Sequence, residues 1–508
     1  MSTRNDINKI LLKKFPYLEI SVVKYSEVQT DNESKRIDSE YFKQAYLENE
    51  KILKNLSIGC EKLGNLIYKM TGGATPLGAD YPESGIPFLR VQNIMPNYFN
   101  LNDIVYISNE DDEFLKRSKL KIKDVLLTIT GAYGKAAVVY KDLVGANINQ
   151  HSVKIEVKKI NPYFLATFIN SKHGQLQCHK KITGVTRPAL DYRAIKNFLI
   201  PMFSKEFQLE IEAIVKDSHK ALENSKKLYK EAESILYEAL GLDAENPLES
   251  ILSFGEENKI IHSLRLDGGN SKGYIVASQN YLKKYKGLNI SIRTYKESYL
   301  KTGRLDAEYY QVKYDLIENV IKNYSEGWSI VASYFEQNKT YSNFDKPKYN
   351  YIEISDINIS DGTASYNSIE VNNLPANAKI LINKNDILIS KVRPYRGAVA
   401  IIDFEEEDII ASGAFVILKE KIGFKKEVLK VLLRSVIYKE LLLKYNVGIS
   451  YPVIKDEDIL NLLIPILDLK TQKKIEAKVK QSFELRDKSK ELLENAKAKI
   501  EKAIIDNK

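Results

Sequence analysis

The stretch Arg36-Ile-Asp-Ser-Glu-Tyr-Phe42 decides the fold, because the chain repeats it as Arg304-Leu-Asp-Ala-Glu-Tyr-Tyr310, 268 positions later. Five more pairs of segments follow in the same order, at offsets of 262 to 264. Six ordered matches with so little drift indicate an internal duplication with small insertions and deletions between the segments. The five pairs are residues 88–94 with 351–357, 123–127 with 385–389, 182–188 with 446–452, 197–201 with 461–465, and 211–213 with 475–477.

Each copy is predicted to contain the same consecutive parts. A helical opening rich in Glu, Lys, Leu and Tyr precedes a β-rich body, in which short apolar runs alternate with Gly, Pro and Asn clusters. A mixed helical segment follows, and a long helix entered from a proline (Pro201, Pro465) closes the copy. The predicted bounds are 36–56 and 304–323 for the openings, 124–130 and 386–390 for sample strands, 162–172 and 426–445 for the mixed segments, and 204–242 and 468–506 for the long helices.

The long helices carry apolar residues at the alternating four- and three-residue spacing of a coiled-coil seam. Ser218, Ser225, Arg486 and Ser489 interrupt these seams. Two amphipathic helices in one chain most simply bury their stripes against each other, so we expect an antiparallel pair with a β-rich body at each end. The alternative is that each helix packs on its own body. The seam residues, which are also the predicted partner-binding residues, are Ile211, Val215, Leu222, Leu236, Ile475, Val479, Leu493 and Ile500.

The predicted fold class is therefore α+β, internally duplicated, with two β-rich domains joined by two long antiparallel helices and related by pseudo-two-fold symmetry. A length of 508 residues agrees with more than one domain. The predicted divisions are 1–203 for the first domain, with its body at 59–200, 204–242 for the central helix, 243–289 for a connection, 290–467 for the second domain, and 468–508 for the distal helix.

Composition narrows the class of protein. Hydrophobic residues make up 44% and charged residues 28%, the balance of a globular chain. No run approaches the roughly 20 apolar residues of a membrane helix, and the N-terminal stretch carries charges where a signal peptide is apolar. Cys60 and Cys178 are too few for a disulfide framework or a CxxC-type zinc cluster. We expect a cytoplasmic protein without membrane contacts.

Charge favours the first body as a nucleic-acid binder. The chain carries a net charge of +9, of which residues 59–200 contribute +7, whereas residues 324–465 have a net charge of −2. A duplicated unit with an approximate dyad is a geometry suited to reading DNA half-sites. Because the copies differ most in their loops, two such bodies would read two different half-sequences and give an asymmetric bipartite target.

One candidate DNA-binding loop occupies equivalent positions in both copies. The second copy offers Lys391, Arg393, Tyr395 and Arg396 where the first has Tyr133 and Lys135. Arginine pairs two acceptors of guanine or holds a phosphate, and tyrosine stacks or hydrogen-bonds. The alternative is a solvated hairpin tip.

Further polar residues complete the predicted DNA-binding set. The amides around Asn149 suit the edge of adenine, although amides are also common in turns. The glycine-containing loops at 183–188 and 447–452 are typical of backbone facing a phosphate or base, and equally of a framework turn. These residues are Thr75, Arg90, Gln92, Asn93, Asn149, Gln150, His151, Thr186, Arg187, Ser450 and Tyr451.

Signatures of catalysis are missing from the sequence. It contains no Asn/Asp-Pro-Pro-aromatic tetrapeptide, no GxGxxG after a strand and no GxxxxGK[ST]. The metal-capable group, His173, Cys178 and His179, lies on one helix-like stretch without a partner pair, so neither a metal site nor catalytic residues are predicted.

The repeated blocks resemble the specificity (S) subunit of Type I restriction–modification systems across nearly the whole chain. The blocks are GGATP (72–76), GIPFLRVQNI (85–94), KDVLLTITGAYGKAAVV (123–139), GVTRPALDYRAIKNFLIPM (184–202) and EIEAI (210–214), with RLDAEYY (304–310) and VGISYPVIKDEDILNLLIPI (447–466) in the second copy. The second copy lacks a GGxTP-like block; residues 336–342 stand in its place.

This resemblance implies two target-recognition domains separated by helices that act as a ruler. It also implies double-stranded DNA, two adenine-N6 methyltransferase (M) subunits and translocating nuclease (R) subunits as partners. The chain would hold no cofactor, since S-adenosylmethionine, ATP and magnesium belong to those subunits. Two alternatives remain: a self-sufficient restriction or modification enzyme with an unrecognised site, and a repeat-built protein-binding scaffold that does not bind DNA.

Overall fold

The computed structural model describes residues 4–30, 35–76, 78, 81–184, 187–257, 293–448 and 451–507. The chain is α+β and divides into two compact units: the first comprises Met1–Glu223 and Leu485–Lys508, and the second Asn224–Glu484. The domains predicted from the sequence are consecutive, whereas the first unit is discontinuous and the second is a single stretch that lies between its two parts in sequence. Each unit contains part of both long helices. Residues 258–289 of the predicted connection lie outside the described residues.

The first unit combines short strands with helices on the chain flanking them. Its helices are Arg4–Lys14, Tyr25–Thr30, Gln44–Lys54, Asn109–Phe114, Pro162–Asn170, Lys172–Lys181 and Tyr192–Lys196, with parts of Lys205–Ala239 and Leu469–Asp506. Its strands are Cys60–Lys62, Ile67–Gly72, Ile86–Leu89, Ile94–Met95, Tyr98–Phe99, Val105–Ile107, Val125–Thr128, Ala136–Val138, Asn147–Ile148, Ser152–Val157 and Leu199–Pro201.

Two sheets form the body of the first unit. A four-stranded antiparallel sheet has Ser152–Val157 between Ile67–Gly72 and Val125–Thr128, with Ala136–Val138 at its edge. In the second sheet, Ile86–Leu89 pairs antiparallel with one strand and parallel with another. Val125–Thr128 and Ala136–Val138 are buried along their whole length. Val125 and Leu127 pack in a core with the helices, and Leu126 packs in a core with the second sheet.

The second unit repeats this topology. Its helices are Pro247–Glu257, Tyr299–Thr302, Val312–Lys322, Val331–Tyr334, Lys426–Arg434, Val436–Leu443 and Asp456–Leu460, with the remaining parts of the long helices. Its strands are Trp328–Ile330, Phe335–Gln337, Lys348–Ile352, Ile357–Asn358, Thr363–Ala364, Asn367–Glu370, Ala378–Ile382, Ile387–Ser390, Val399–Ile401, Ile409–Ser412, Phe415–Glu420 and Leu463–Pro465.

Strand order confirms the predicted duplication. The four-stranded sheet of the second unit has Phe415–Glu420 between Phe335–Gln337 and Ile387–Ser390, with Val399–Ile401 at its edge. This is the order found in the first unit. The second sheet again contains a central strand, Lys348–Ile352, with one antiparallel and one parallel neighbour.

The helical openings begin later than predicted. Their helices are Gln44–Lys54 and Val312–Lys322, whereas residues 38–42 and 306–310 form turns. The reason is local, because the Asp38 carboxylate accepts a hydrogen bond from the Tyr41 N–H (3.2 Å), and Asp306 accepts one from Tyr309 (3.1 Å). An aspartate that bonds to the backbone three residues ahead favours a turn over a helix interior.

In the first unit, the two long helices run antiparallel. Ile211 and Val215 pack in one core with Leu493 and Ile500. The Lys499 ammonium lies 2.5 Å from the Glu210 carboxylate at the edge of this pair. Capping explains where the first long helix begins, since the Ser204 hydroxyl accepts from the Phe207 N–H (3.2 Å).

In the second unit, the remaining parts of the helices pair in the same sense. Leu236 packs with Ile475 and Val479, and Lys478 lies 2.6 Å from Glu231. The predicted antiparallel pairing is therefore confirmed within each unit, while the pseudo-two-fold axis between the units stays a prediction.

The prediction that the seam residues bind a partner is corrected by their burial. Ile211, Val215, Leu236, Ile475, Val479, Leu493 and Ile500 are all buried in the chain's own cores, and Leu222 is half-buried. Side chains that fill an intramolecular core cannot also contact another subunit. A partner of these helices would have to use their exposed faces.

Among the described residues, no helix is both long enough and apolar enough to span a bilayer.

Candidate nucleic-acid interface

Four predicted residues of the first unit come together in space from three separate loops. The Thr75 hydroxyl donates a hydrogen bond to the Gln150 amide oxygen, and the Arg187 guanidinium donates to Nε2 of His151 (3.1 Å). Burial and the nearby Arg187 charge lower the pKa of His151, in agreement with a neutral imidazole that accepts this bond. These residues form a polar surface, which we call the first interface: Thr75, Gln150, His151 and Arg187.

Two glycines bring Thr75 to this surface. A Cβ on Gly73 would lie 2.0 Å from the Ile148 carbonyl oxygen, and one on Gly72 would lie 1.9 Å from the Tyr192 hydroxyl. At Gly73, no other residue type permits this approach without moving the backbone, whereas a side chain at Gly72 would displace the Tyr192 side chain. The glycines of the GGATP block thus serve the packing that places Thr75.

Tyr133 and Lys135 lie on the hairpin between Val125–Thr128 and Ala136–Val138. The Tyr133 hydroxyl is 2.9 Å from Nδ1 of His179. Lys135 is half-buried, with its ammonium 3.7 Å from the Met95 sulfur, and burial lowers the pKa of this lysine. Lys135 therefore points partly into the body, which suits a phosphate contact less well than predicted.

Arg90, Asn93 and Asn149 form bonds within the fold. The Asn93 side chain is buried, accepts from the Arg90 backbone N–H (2.9 Å) and donates to the Asn100 carbonyl (2.9 Å). Arg90 donates to the Asp103 carbonyl (2.6 Å), and the buried Asn149 accepts from the His151 N–H (3.2 Å). Their structural partners favour the alternative interpretation, framework turns, over base contacts.

Of the remaining predicted residues, Gln92 is exposed. Thr186 of the first unit and Ser450 of the second lie outside the described residues. Arg187 and Tyr451 occupy the same position in equivalent loops. Each loop is closed by an antiparallel bridge, Thr183 with Ala189 in the first unit and Val447 with Val453 in the second.

In the second unit, the Arg393 guanidinium lies over the Tyr451 ring, 5.3 Å from its centroid. Arg393 has a left-handed backbone (φ 48°), and its N–H donates to the Pro452 carbonyl (2.9 Å). The hairpin and the loop therefore meet here, and a planar cation stacks on an aromatic ring at the surface. We call Arg393 and Tyr451 the second interface.

The other predicted residues on this hairpin differ in availability. Arg396 is exposed and Tyr395 half-buried. The Lys391 ammonium is 2.9 Å from the Asp456 carboxylate, so its charge is compensated within the fold. An intramolecular ion pair makes Lys391 a weaker candidate for a phosphate contact than the two arginines.

A polar group in the second unit was missed by the sequence analysis. Asn377 donates to the Ser412 hydroxyl (3.0 Å) and accepts from the Tyr351 hydroxyl (3.2 Å). Ser412 ends the strand equivalent to the one that precedes Gln150, but the residues after it are Gly413 and Ala414 rather than Gln and His. The sequence signal was weak because Asn377 lies in a segment that does not align with the first copy.

The second copy's entry segment also differs from GGATP in its contacts. Asn338 is buried there, and its amide donates to the Leu381 carbonyl (2.9 Å) and to the Asp386 carboxylate (3.0 Å). Tyr341, three residues on, is exposed. An asparagine anchor thus replaces the pair of glycines, as expected if this entry loop meets a ligand differently.

The three side chains considered as metal ligands in the sequence have other surroundings in the structure. His173 bonds to Asn49, Cys178 is fully buried with its pKa raised to about 12 by desolvation, and His179 bonds to Tyr133. Among the described residues, no cluster of three His, Cys, Asp or Glu side chains could hold a metal ion.

Comparison with known proteins finds a similarity in the first unit and the helix that follows it. Residues 61–234 match the family described as the Type I restriction modification DNA specificity domain. The chain is 33% identical over 174 residues to the Type I restriction enzyme EcoBI specificity subunit of Escherichia coli, an alignment covering 33% of this chain and 36% of that protein. The match thus spans little more than a third of this curated relative.

Solved structures of low sequence identity cover more of the chain. An S subunit of a Type I restriction–modification system from M. genitalium is 12% identical, with 89% of this chain and 96% of that chain covered, at a TM-score of 0.37. The HsdS subunit from Thermoanaerobacter tengcongensis is 14% identical, with 88% and 96% covered, at a TM-score of 0.27. Superpositions this loose add no weight to the family match. The similarity to Type I restriction–modification DNA specificity domains is thus carried by residues 61–234.

Proposed function

We propose that this protein is the DNA sequence-recognition subunit of a Type I restriction–modification complex. The observation that carries the proposal is that two units of the same topology present different side chains from the same loop. Arg187 stands beside His151 in the first unit, and Tyr451 stands beneath Arg393 in the second. A shared framework with different tips suits two recognition domains with different preferences.

The target would be bipartite and asymmetric. Arginine donates two parallel hydrogen bonds and reads guanine most readily, whereas a neutral histidine and a glutamine offer both donors and acceptors. The second interface would depend on arginine and tyrosine instead. Local arginines would also supply positive charge to a body whose net charge is −2.

The chemistry would belong to partners. This chain would position two adenine-N6 methyltransferase subunits, and nuclease/translocase subunits with them, on the DNA in the cytoplasm. S-adenosylmethionine, ATP and magnesium would bind those subunits, and this chain would be non-catalytic. The exposed faces of the long helices, rather than their buried seams, would hold the methyltransferases.

Spacing between the half-sites would depend on the long helices, since each contributes to both units. Inserting a heptad into the middle of both long helices should lengthen the spacer and leave both half-sites unchanged. A fixed spacer in a complex that still methylates DNA would contradict the ruler.

The first experiment is affinity purification of the tagged chain from its own cells, with stoichiometry by mass spectrometry and methylated adenines mapped in the genome. We expect a methyltransferase at about two copies per chain and a split methylated motif. Activity of the chain alone would instead establish a self-sufficient enzyme. Association with proteins but no salt-dependent DNA binding would establish a scaffold, because phosphate contacts make affinity fall steeply with salt.

A further inference from the structure

The loops that carry Arg187 and Tyr451 are closed at equivalent necks. In each, two backbone hydrogen bonds cross the neck, at 2.9 Å and 2.9 Å for Thr183 with Ala189, and 2.9 Å and 3.1 Å for Val447 with Val453. Gly184 and Gly448 both have a left-handed backbone, with φ of +92° and +96°. The necks are therefore equivalent although the tips differ.

An arginine from a distant part of the chain holds the start of each neck. Arg36 Nη1 donates to the Ile182 carbonyl (2.6 Å), the residue immediately before Thr183. Arg304 Nη2 donates to the carbonyl of Asn446, the residue immediately before Val447 (3.1 Å). These arginines open the repeated stretch that establishes the duplication.

Each arginine is fixed by a two-pronged bond to an aspartate. Arg36 Nε and Nη2 lie 2.7 Å and 2.6 Å from the two carboxylate oxygens of Asp38, and Arg304 repeats this with Asp306 at 2.7 Å and 2.8 Å. The aspartate raises the pKa of each arginine, so the guanidinium stays charged. Paired bonds to both oxygens restrict the guanidinium to one plane. We call each arginine–aspartate pair a loop clamp.

A second layer supports each loop clamp in the same way. Arg36 lies over the Tyr41 ring (5.2 Å), and Lys180 approaches that ring (4.8 Å) while pairing with Glu50. In the second unit, Tyr309 lies 4.5 Å from Arg304 and 5.2 Å from Lys444, and Lys444 pairs with Glu318.

The two copies share the residues that support each loop, but they differ in the residue at its tip. All five supporting side-chain types are identical in the two copies, Arg, Asp, Tyr, Glu and Lys, whereas the tips carry Arg187 in one and Tyr451 in the other. The bonds from Arg36 to Ile182 and from Arg304 to Asn446 lie at the necks of the loops, not at Arg187 or Tyr451.

We propose that Arg36 and Arg304 are positioning residues for sequence recognition, each holding the loop that presents Arg187 or Tyr451 to one half-site. This inference rests on the proposed function and assigns the support of each half-site to a separate clamp. Without the guanidinium, the carbonyl before the neck loses its charged donor, and the tip samples orientations that match the cognate base less well.

The test uses the intact complex of this chain with its copurifying methyltransferase. Complexes carrying Arg36→Ala, Arg304→Ala, Arg36→Lys or no substitution are compared on duplexes with the mapped target or with single-base changes in either half. We expect Arg36→Ala to lower discrimination about ten-fold at one half-site, the effect of losing one charge-assisted bond, and to leave the other half unchanged. Arg304→Ala should do the converse.

Two readouts separate positioning from direct contact and from general damage. The slope of affinity against salt should stay unchanged in both alanine variants, because no phosphate contact is lost. Arg36→Lys retains a donor without the fork and should recover part of the discrimination. If Arg36→Ala fails to fold, Asp38→Asn keeps the side-chain size while removing the charge that fixes Arg36, and it should show the same half-site effect.

Three results would overturn the inference: unchanged discrimination at both half-sites, an equal loss at both, or a reduced salt slope. If the unsubstituted complex modifies no split sequence, the proposed function itself fails, and the clamps with it. If that complex does recognise a split sequence while the clamp variants discriminate normally, only the clamps fail.

Discussion

The hydroxyl of Ser218 lies 2.9 Å from the hydroxyl of Ser489 and 2.9 Å from the backbone carbonyl oxygen of Ser489, and both serines are buried. The second unit contains the equivalent pair, in which Ser225 and Ser482 each donate to the other's carbonyl (2.7 and 2.8 Å). Three of the residues that interrupt the apolar seam in sequence, Ser218, Ser225 and Ser489, are thus paired across it. Each pair is satisfied only when its two helices lie in one register.

Replacing Ser218 by alanine should lower the free energy of unfolding by about 1 kcal/mol, because a buried hydrogen bond is lost and Ser489 loses its hydroxyl partner. Thermal or denaturant unfolding of the complex measures this. Ser234→Ala on the same helix is the matched control, since Ser234 bonds only to the carbonyl four residues earlier. Equal effects of the two substitutions would contradict a specific role for the pair.

Acid should destabilise the first unit through His219. Its Nε2 donates to the Asn97 carbonyl (2.5 Å), and burial lowers its pKa in the folded state. The unfolded chain therefore takes up a proton first, so this contribution to stability is complete above pH about 6.5 and declines as pH falls towards the lower folded-state pKa. His219→Gln should flatten the fall in stability over that interval, as measured by denaturant unfolding at a series of pH values.

Arg187→Ala should weaken binding to one half-site by about 1–3 kcal/mol if the guanidinium reads a base. Tyr451→Phe should affect only the other half-site, and less, because the ring beneath Arg393 remains. Affinity of the complex for duplexes altered in one half at a time measures both effects. Loss at the same half-site in both variants would show that the units do not read DNA independently.

Arg393 should trade stability for recognition. Its left-handed backbone costs a residue with a Cβ roughly 1–2 kcal/mol, a cost that glycine does not have. Arg393→Gly should therefore raise the melting temperature of the complex relative to Arg393→Ala, while both lose discrimination at one half-site. Arg396 is exposed and has an ordinary backbone conformation, so Arg396→Ala should lower recognition as well. At this position, Arg396→Gly should not raise the melting temperature above that of Arg396→Ala.

Periodicity and repetition predicted the architecture because both are local properties of the chain. The runs at 125–128 and 387–390 became central strands, and the long helices began within one residue of their predicted starts. Residues 36–43 were misassigned because Glu, Lys and Tyr favour helix in composition, while the hydrogen bond from Tyr41 to Asp38 that makes a turn is specific to geometry.

The sequence predicted which loops form the candidate site, but not which residues of those loops face it. In sequence, Asn93 and His151 both look like exposed polar residues. In the structure, the Asn93 side chain hydrogen-bonds to the backbone, whereas His151 faces Arg187. The Asn93 bonds join residues three and seven positions apart, whereas the contact between His151 and Arg187 joins positions 36 apart. Thr75 and Gln150 illustrate the same point, since their hydrogen bond joins positions 75 residues apart.

The discontinuous first unit has a consequence for synthesis. Its core is closed by Leu493, Ala496, Ile500 and Ile504, and the Ser57 N–H donates to the Asn507 carbonyl (3.0 Å). A chain emerging from the ribosome cannot finish this unit until residue 507 has been translated, long after the first body has left the exit tunnel. Nascent chains halted before residue 485 would expose Ile211 and Val215, and would depend on chaperones to stay out of aggregates.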